Sequence, residues 1–171
     1  NIPLNVVLNL GYTINDVTFP LISFGTGVEN NATTVARSYI FANVSVTETN
    51  EHTMTFSLYN STSLVNRTYY TTAIRTINWT LLPNEVYRYN VSVNDTSNNV
   101  NTTETRYLTL DTQGPTVSSL TESPSDPATF SESGSYKINA TVTDPSLDRV
   151  ILSFNSVKYT ATNYQGSIYK V

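Results

Sequence analysis

The chain has 171 residues, a net charge of -4, one histidine and no cysteine. Such a charge offers no basic surface to nucleic acid or an anionic membrane, and without cysteine there are no disulfides, thiolate zinc sites or cysteine nucleophiles. Only 13% of residues are charged, while Asn, Ser and Thr make up about two fifths of the chain, so its hydrophilicity is mostly uncharged.

In chain order, the first expected element is an arm over residues 1–16. Ile2, Leu4, Val6, Leu8, Leu10, Tyr12 and Ile14 put an apolar side chain at every even position, with Asn1, Pro3, Asn5, Val7, Asn9, Gly11 and Thr13 between them. Period-2 alternation describes a strand with one apolar face. At about 3.3 Å per residue it could run roughly 45 Å. Asn1 is neither an initiator Met nor the start of a signal peptide, so a processed or excised start is expected. No apolar run reaches transmembrane length, and no membrane insertion is expected within the segment.

Residues 17–113 then read as a β-domain, because short alternating runs are punctuated by Gly and Pro and no stretch keeps a capped helical period. Strands are expected over residues 17–24, with Pro20 tolerable at an edge, and over 38–47, with Ile40, Ala42, Val44 and Val46 inward. Met54, Phe56 and Leu58 mark the inner face of a third. Weaker strands cover 64–71 and 73–81, where the single Trp79 reads as a core anchor. The clearest strand has Tyr87, Tyr89, Val91 and Val93 on one face and Arg88, Asn90, Ser92 and Asn94 on the other. A turn over 95–99 and a last strand over 102–110 follow. Seven strands in about 95 residues suit an immunoglobulin-like β-sandwich, and Leu82 to Tyr87 look like a tyrosine corner.

The run "YRYNVSVNDTSNN" from Tyr87 to Asn99, with "LDTQGPTV" from Leu110 to Val117, resembles the junction between tandem immunoglobulin-like repeats of prokaryotic, especially archaeal, cell-surface proteins. The resemblance implies an all-β fold and an extracellular, cell-surface location, and no chemistry. A shift of 96 residues places Asn43 on Asn139, Phe56 on Leu152 and Leu58 on Phe154, so residues 114–171 repeat the first domain. Strands are expected there over 115–121, 136–143, 149–154, 157–160 and 164–171. Under the same shift counterparts of residues 76–111 would fall beyond Val171, and an incomplete second sandwich is expected.

An incomplete sandwich exposes an apolar groove and open edges. The expected solution is strand addition, the even-numbered arm residues of one subunit filling the groove of its neighbour, which gives a head-to-tail homopolymer. The alternatives are a segment of a longer tandem surface protein, with further strands outside this stretch, and a carbohydrate-binding adhesin, for which Tyr69 and Tyr70 are the one plausible exposed platform.

Nine sequons, at Asn31, Asn43, Asn60, Asn66, Asn78, Asn90, Asn94, Asn101 and Asn139, exceed the roughly five or six that this composition yields by chance, and N-linked glycans are expected. Calcium is the one inorganic ligand considered, through Glu48, Asp95, Asp111, Asp144 and Asp148, but no spaced Asp motif accompanies them and neither metal nor other cofactor is assigned. A histidine-based triad would depend on His52 alone, in the polar turn "ETNEHT", and no catalytic residue is assigned.

Overall fold

The computed structural model describes residues 16–127, 129, 134, 137–154, 156–166 and 168–170. The arm residues Ile2, Leu4, Val6, Leu8, Leu10, Tyr12 and Ile14 lie outside them. Among the described residues the fold is all-β, with fifteen strands and no helix, so no helix is long and apolar enough to cross a membrane. Two compact units are formed. One contains Tyr39–Thr80, Val86–Leu108 and the described residues through Thr33; the other contains Thr34–Ser38, Leu81–Glu85 and the chain from Thr109 onward.

The first nine strands are β1 (Leu21–Phe24), β2 (Thr33–Val35), β3 (Ile40–Thr47), β4 (Glu51–Tyr59), β5 (Leu64–Tyr70), β6 (Thr76–Trp79), β7 (Val86–Asp95), β8 (Val100–Thr102) and β9 (Arg106–Leu110). They form a three-stranded sheet, β1-β3-β6, and a six-stranded sheet, β2-β9-β7-β4-β5, with β8 also paired to β7. The alternation read from sequence is what the first unit buries. Ile40, Ala42, Val44 and Trp79 come from the smaller sheet; Met54, Phe56, Leu58, Tyr87, Tyr89, Val91, Val93 and Leu108 come from the larger. Each fully buried large apolar side chain contributes about 1.5–3 kcal/mol, so these two inner faces supply most of the hydrophobic stabilisation of this unit. Tyr89 touches both sheets, meeting Phe24 edge-to-face at 5.5 Å and Trp79 at 5.9 Å between ring centroids.

Several elements differ from expectation. The first strand begins at Leu21 rather than Val17. Pro20 cannot donate to a ladder, and the carbonyls of Asp16 and Pro20 accept instead from the side-chain amides of Asn99, at 3.0 Å, and Asn101, at 2.8 Å. The last strand, expected over 102–110, is split into β8 and β9. At the break Thr103 N–H donates to the Val91 carbonyl, at 2.9 Å, and Val91 N–H donates to the Thr103 hydroxyl, at 3.1 Å, so a side chain replaces a rung of the ladder. β2 is an unanticipated three-residue strand after the loop at 25–31.

The second unit carries β10 (Thr116–Ser123), β11 (Lys137–Thr143), β12 (Ile151–Phe154), β13 (Val157–Thr160), β14 (Thr162–Gln165) and β15 (Ile168–Lys170). The first two and last two form a sheet in the order β10-β11-β15-β14, and β12 pairs with β13. The single strand expected over 164–171 is a hairpin, because Gly166 takes a φ of 56° that a side chain would disfavour and turns the chain between β14 and β15.

The two units share a pairing plan. In the first, β3 lies antiparallel between β1 and β6; in the second, β11 lies antiparallel between β10 and β15. The repeat-related Asn43 and Asn139 sit on these middle strands. Beyond that the plans part. β4 is flanked by β5 and β7, whereas β12 has β13 as its one neighbour among the described residues.

Candidate functional site

Residues of β12 also border an apolar opening of the second unit. Val117 and Leu120 of β10, Ala140 and Val142 of β11, and Val150 and Leu152 around β12 line a cleft of about 170 Å³ to which no polar side chain contributes. β10 puts two large side chains into solvent, Val117 at 63% and Leu120 at 70% exposure. Leu120 sits where the β10–β11 register shifts between Ser118 and Thr121. From Thr116 onward Val142 is the one described apolar residue that is buried. An exposed apolar cleft beside a strand edge with no described neighbour is a surface that other strands cover.

The sequons divide by what the amide nitrogen does. Asn43 Nδ2 donates to the Thr26 carbonyl at 2.9 Å, and it lies so close to Gly25 that a Cβ there would meet it at 3.0 Å. Asn101 Nδ2 donates to Pro20, Asn90 Nδ2 to Thr105 and Asn139 Nδ2 to Thr121. Asn60 uses its carbonyl to cap its own turn, accepting from Thr62 and Ser63 N–H. Asn94 is half-buried on β7.

Asn31, Asn66 and Asn78 are exposed. Asn66 is the best prepared: its Oδ1 accepts from the Trp79 indole N–H at 3.0 Å and from the Thr68 hydroxyl of the same sequon at 2.8 Å. These two bonds hold the carboxamide by its oxygen and leave Nδ2, the atom a glycan would occupy, without a partner among the described residues. Asn31 is held likewise, by Tyr107 N–H. Glycopeptide mass spectrometry of native material should therefore find sugar at Asn31, Asn66 and Asn78 and none at Asn43 or Asn101. Occupied Asn43 beside empty Asn66 would mean that folded geometry does not select the sites.

Of the carboxylates weighed for calcium, Glu48 and Asp95 come together, and Asp16, missed in sequence because it lies near the end of the arm, joins them: one oxygen of each lies within 4.8 Å of the others. Their oxygens have partners already. Asp95 is fully buried and accepts from Ser97 N–H, Asn99 N–H and the Asn99 side chain. Asp16 accepts from Thr18 N–H and Asn50, and Glu48 from Asn50 N–H. The Thr18 N–H, then Asn50, hold the Asp16 carboxyl below its ordinary range. Three such carboxylates fall short of the six to eight oxygens that calcium takes, and the arrangement reads as caps on the turns at 16–18, 48–50 and 95–99. Asp111, bonded to Asn84 and Gln113, Asp144, capping Ser146, and Asp148, beside Arg149, take no part.

His52 is exposed, and its ring bonds only the adjacent Thr53 hydroxyl, at 3.2 Å, among the described residues. Of the tyrosine pair, Tyr70 packs edge-to-face on Phe56 at 5.9 Å and Tyr69 is 61% exposed. Nearby, Arg67 donates to the Tyr59 hydroxyl and Arg88 lies over the Tyr59 ring.

No family model matches the chain, and no curated protein matches it. Among solved structures, the crystal structure of an engineered protein is similar at 14% identity with a TM-score of 0.42, over 54% of this chain and 20% of that one. A likeness that weak carries no argument about fold or function.

Proposed function

We propose that the chain is a structural subunit of an extracellular, glycosylated filament or cell-surface fibre, built from immunoglobulin-like sandwiches and assembled when the arm of one copy enters the second unit of the next. The strand order β1-β3-β6 facing β9-β7-β4-β5 supports the immunoglobulin-like part of this reading, and the resemblance to archaeal surface repeats supports the location. The observation that carries the assembly is the bare apolar cleft between β10, β11 and β12. An arm with apolar residues at every even position from Ile2 to Ile14 is the segment of this chain whose pattern suits it. Backbone bonds along the added strand give affinity, and alternate side chains give register.

The test is Val6→Asp with Leu8→Asp. Two carboxylates buried against an apolar cleft without partners cost several kcal/mol each. The double variant should stay monomeric by analytical ultracentrifugation and form no fibres under electron microscopy, while the near-ultraviolet dichroism of the Trp79 environment is unchanged. Fibres from the double variant, or a wild-type chain monomeric at every concentration, would sink the proposal.

A further inference from the structure

Resting on that reading, we infer that the incoming arm pairs antiparallel with the free edge of β12, in the place that β7 takes beside β4, with its even-numbered residues facing the cleft.

Among the described residues four strand edges of the second unit have no neighbour: β10 and β14, at the ends of the four-stranded sheet, and β12 and β13, of which β13 corresponds to β5, itself an edge strand in the first unit. The first unit discriminates among them. There the strand repeat-related to β12 is β4, and its second neighbour, β7, is antiparallel, with Met54 opposite Val93, Phe56 opposite Val91 and Leu58 opposite Tyr89. All six of those side chains are fully buried, so β7 closes the core from that edge. In the second unit Leu152 holds the place of Phe56, yet it is only half-buried and lines the open cleft. What Leu152 lacks is the counterpart of Val91.

A strand added at β10 or β14 would extend the far ends of a sheet that already has its middle strand flanked, and would leave Leu152 uncovered. Added at β12, it covers Leu152 directly. β7 and the arm also share their pattern: apolar side chains at alternate positions, with Asn, Ser or another small residue at most of the others. The parity follows from the strand already present. Val150 and Leu152 are half-buried whereas Ile151 and Ser153 are exposed. Directly opposed residues in an antiparallel pair share a face, so Leu152 should oppose an even arm residue and Ser153 an odd one.

Disulfide mapping tests this cleanly, because the chain has no cysteine of its own. Full-length Ser153→Cys is mixed with chains carrying one cysteine in the arm, at Asn5, Val6, Val7, Leu8 or Asn9, and oxidised; linked pairs are read by non-reducing electrophoresis and peptide mass. Ser118→Cys reports on β10 and Asn163→Cys on β14. Ser153 should link to one or two of the odd positions at least tenfold more than to Val6→Cys or Leu8→Cys. Links to Ser118→Cys or Asn163→Cys in place of Ser153→Cys would overturn the β12 assignment and leave strand donation standing. Even positions linking best would overturn the facing. A chain carrying both Val7→Cys and Ser153→Cys that closes on itself, with no link in the mixtures, would overturn the second copy as occupant. Absence of links at all three probed edges would refute the β12 pairing, and with Val6→Asp/Leu8→Asp polymerising normally it would end strand donation as well.

Discussion

Tyr89→Ala is expected to remove about 4–8 kcal/mol from the stability of the first unit. Truncating a fully buried large aromatic side chain costs about 3–5 kcal/mol through lost transfer energy and the cavity left behind. Each edge-to-face pair adds about 0.5–1.5 kcal/mol, and Tyr89 makes two, with Phe24 on β1 and Trp79 on β6. Because Tyr89 itself stands on β7, both pairs join the two sheets. A domain stable by about 5–15 kcal/mol keeps little after such a loss. Tyr89→Phe keeps the ring and should cost about 1 kcal/mol, the worth of a hydroxyl hydrogen bond. Trp79 is the single indole in the chain and is buried, so its fluorescence reports urea unfolding of this unit alone. An alanine variant within about 1 kcal/mol of wild type would mean that the sheets are held together elsewhere.

Asp95→Ala is expected to cost about 3 kcal/mol, by a different mechanism. Its buried carboxylate satisfies Ser97 N–H at 2.8 Å, Asn99 N–H at 2.9 Å and the Asn99 amide at 2.7 Å. Alanine strands all three, and hydrogen bonds to a charged acceptor are worth about 1.5–3 kcal/mol each. Repulsion works the other way. One oxygen of each of Asp16, Glu48 and Asp95 lies within 4.8 Å of the others, so removing Asp95 relieves part of its conflict with Asp16 and Glu48. The hydrogen bonds should win, since three donors lose their acceptor and the two other carboxylates reach solvent. Asp95→Asn separates the terms: it keeps an oxygen for the two backbone N–H groups and loses the bond to the Asn99 amide, so it should fall between alanine and wild type in a urea midpoint. A variant more stable than wild type would show that repulsion dominates the turn.

The inner faces of the central strands were legible from residue types alone. Ile40, Ala42 and Val44 on β3, Met54, Phe56 and Leu58 on β4, and Tyr87, Tyr89, Val91 and Val93 on β7 are all buried as their alternation indicates. A strand of period 2 can bury only one parity, so the pattern in sequence is the pattern in the core. Where the ladder ends was not legible: Thr103 and Pro20 redirect hydrogen bonds to side chains, and the Asn99 and Asn101 amides that receive the displaced partners lie 83 and 81 residues from the groups they bond.

For the candidate sites the division falls at the same place. Sequence alone determined the parity of the arm, the repeat and the nine sequons, because each is a relation between residue types at fixed spacing along one chain. Tertiary structure alone decided which asparagine amides already have partners, which carboxylates meet, and that β12 has β13 as its one neighbour among the described residues. Those depend on whether a donor, a charge or a backbone edge finds a partner across the fold, and a partner dozens of residues away leaves no local mark.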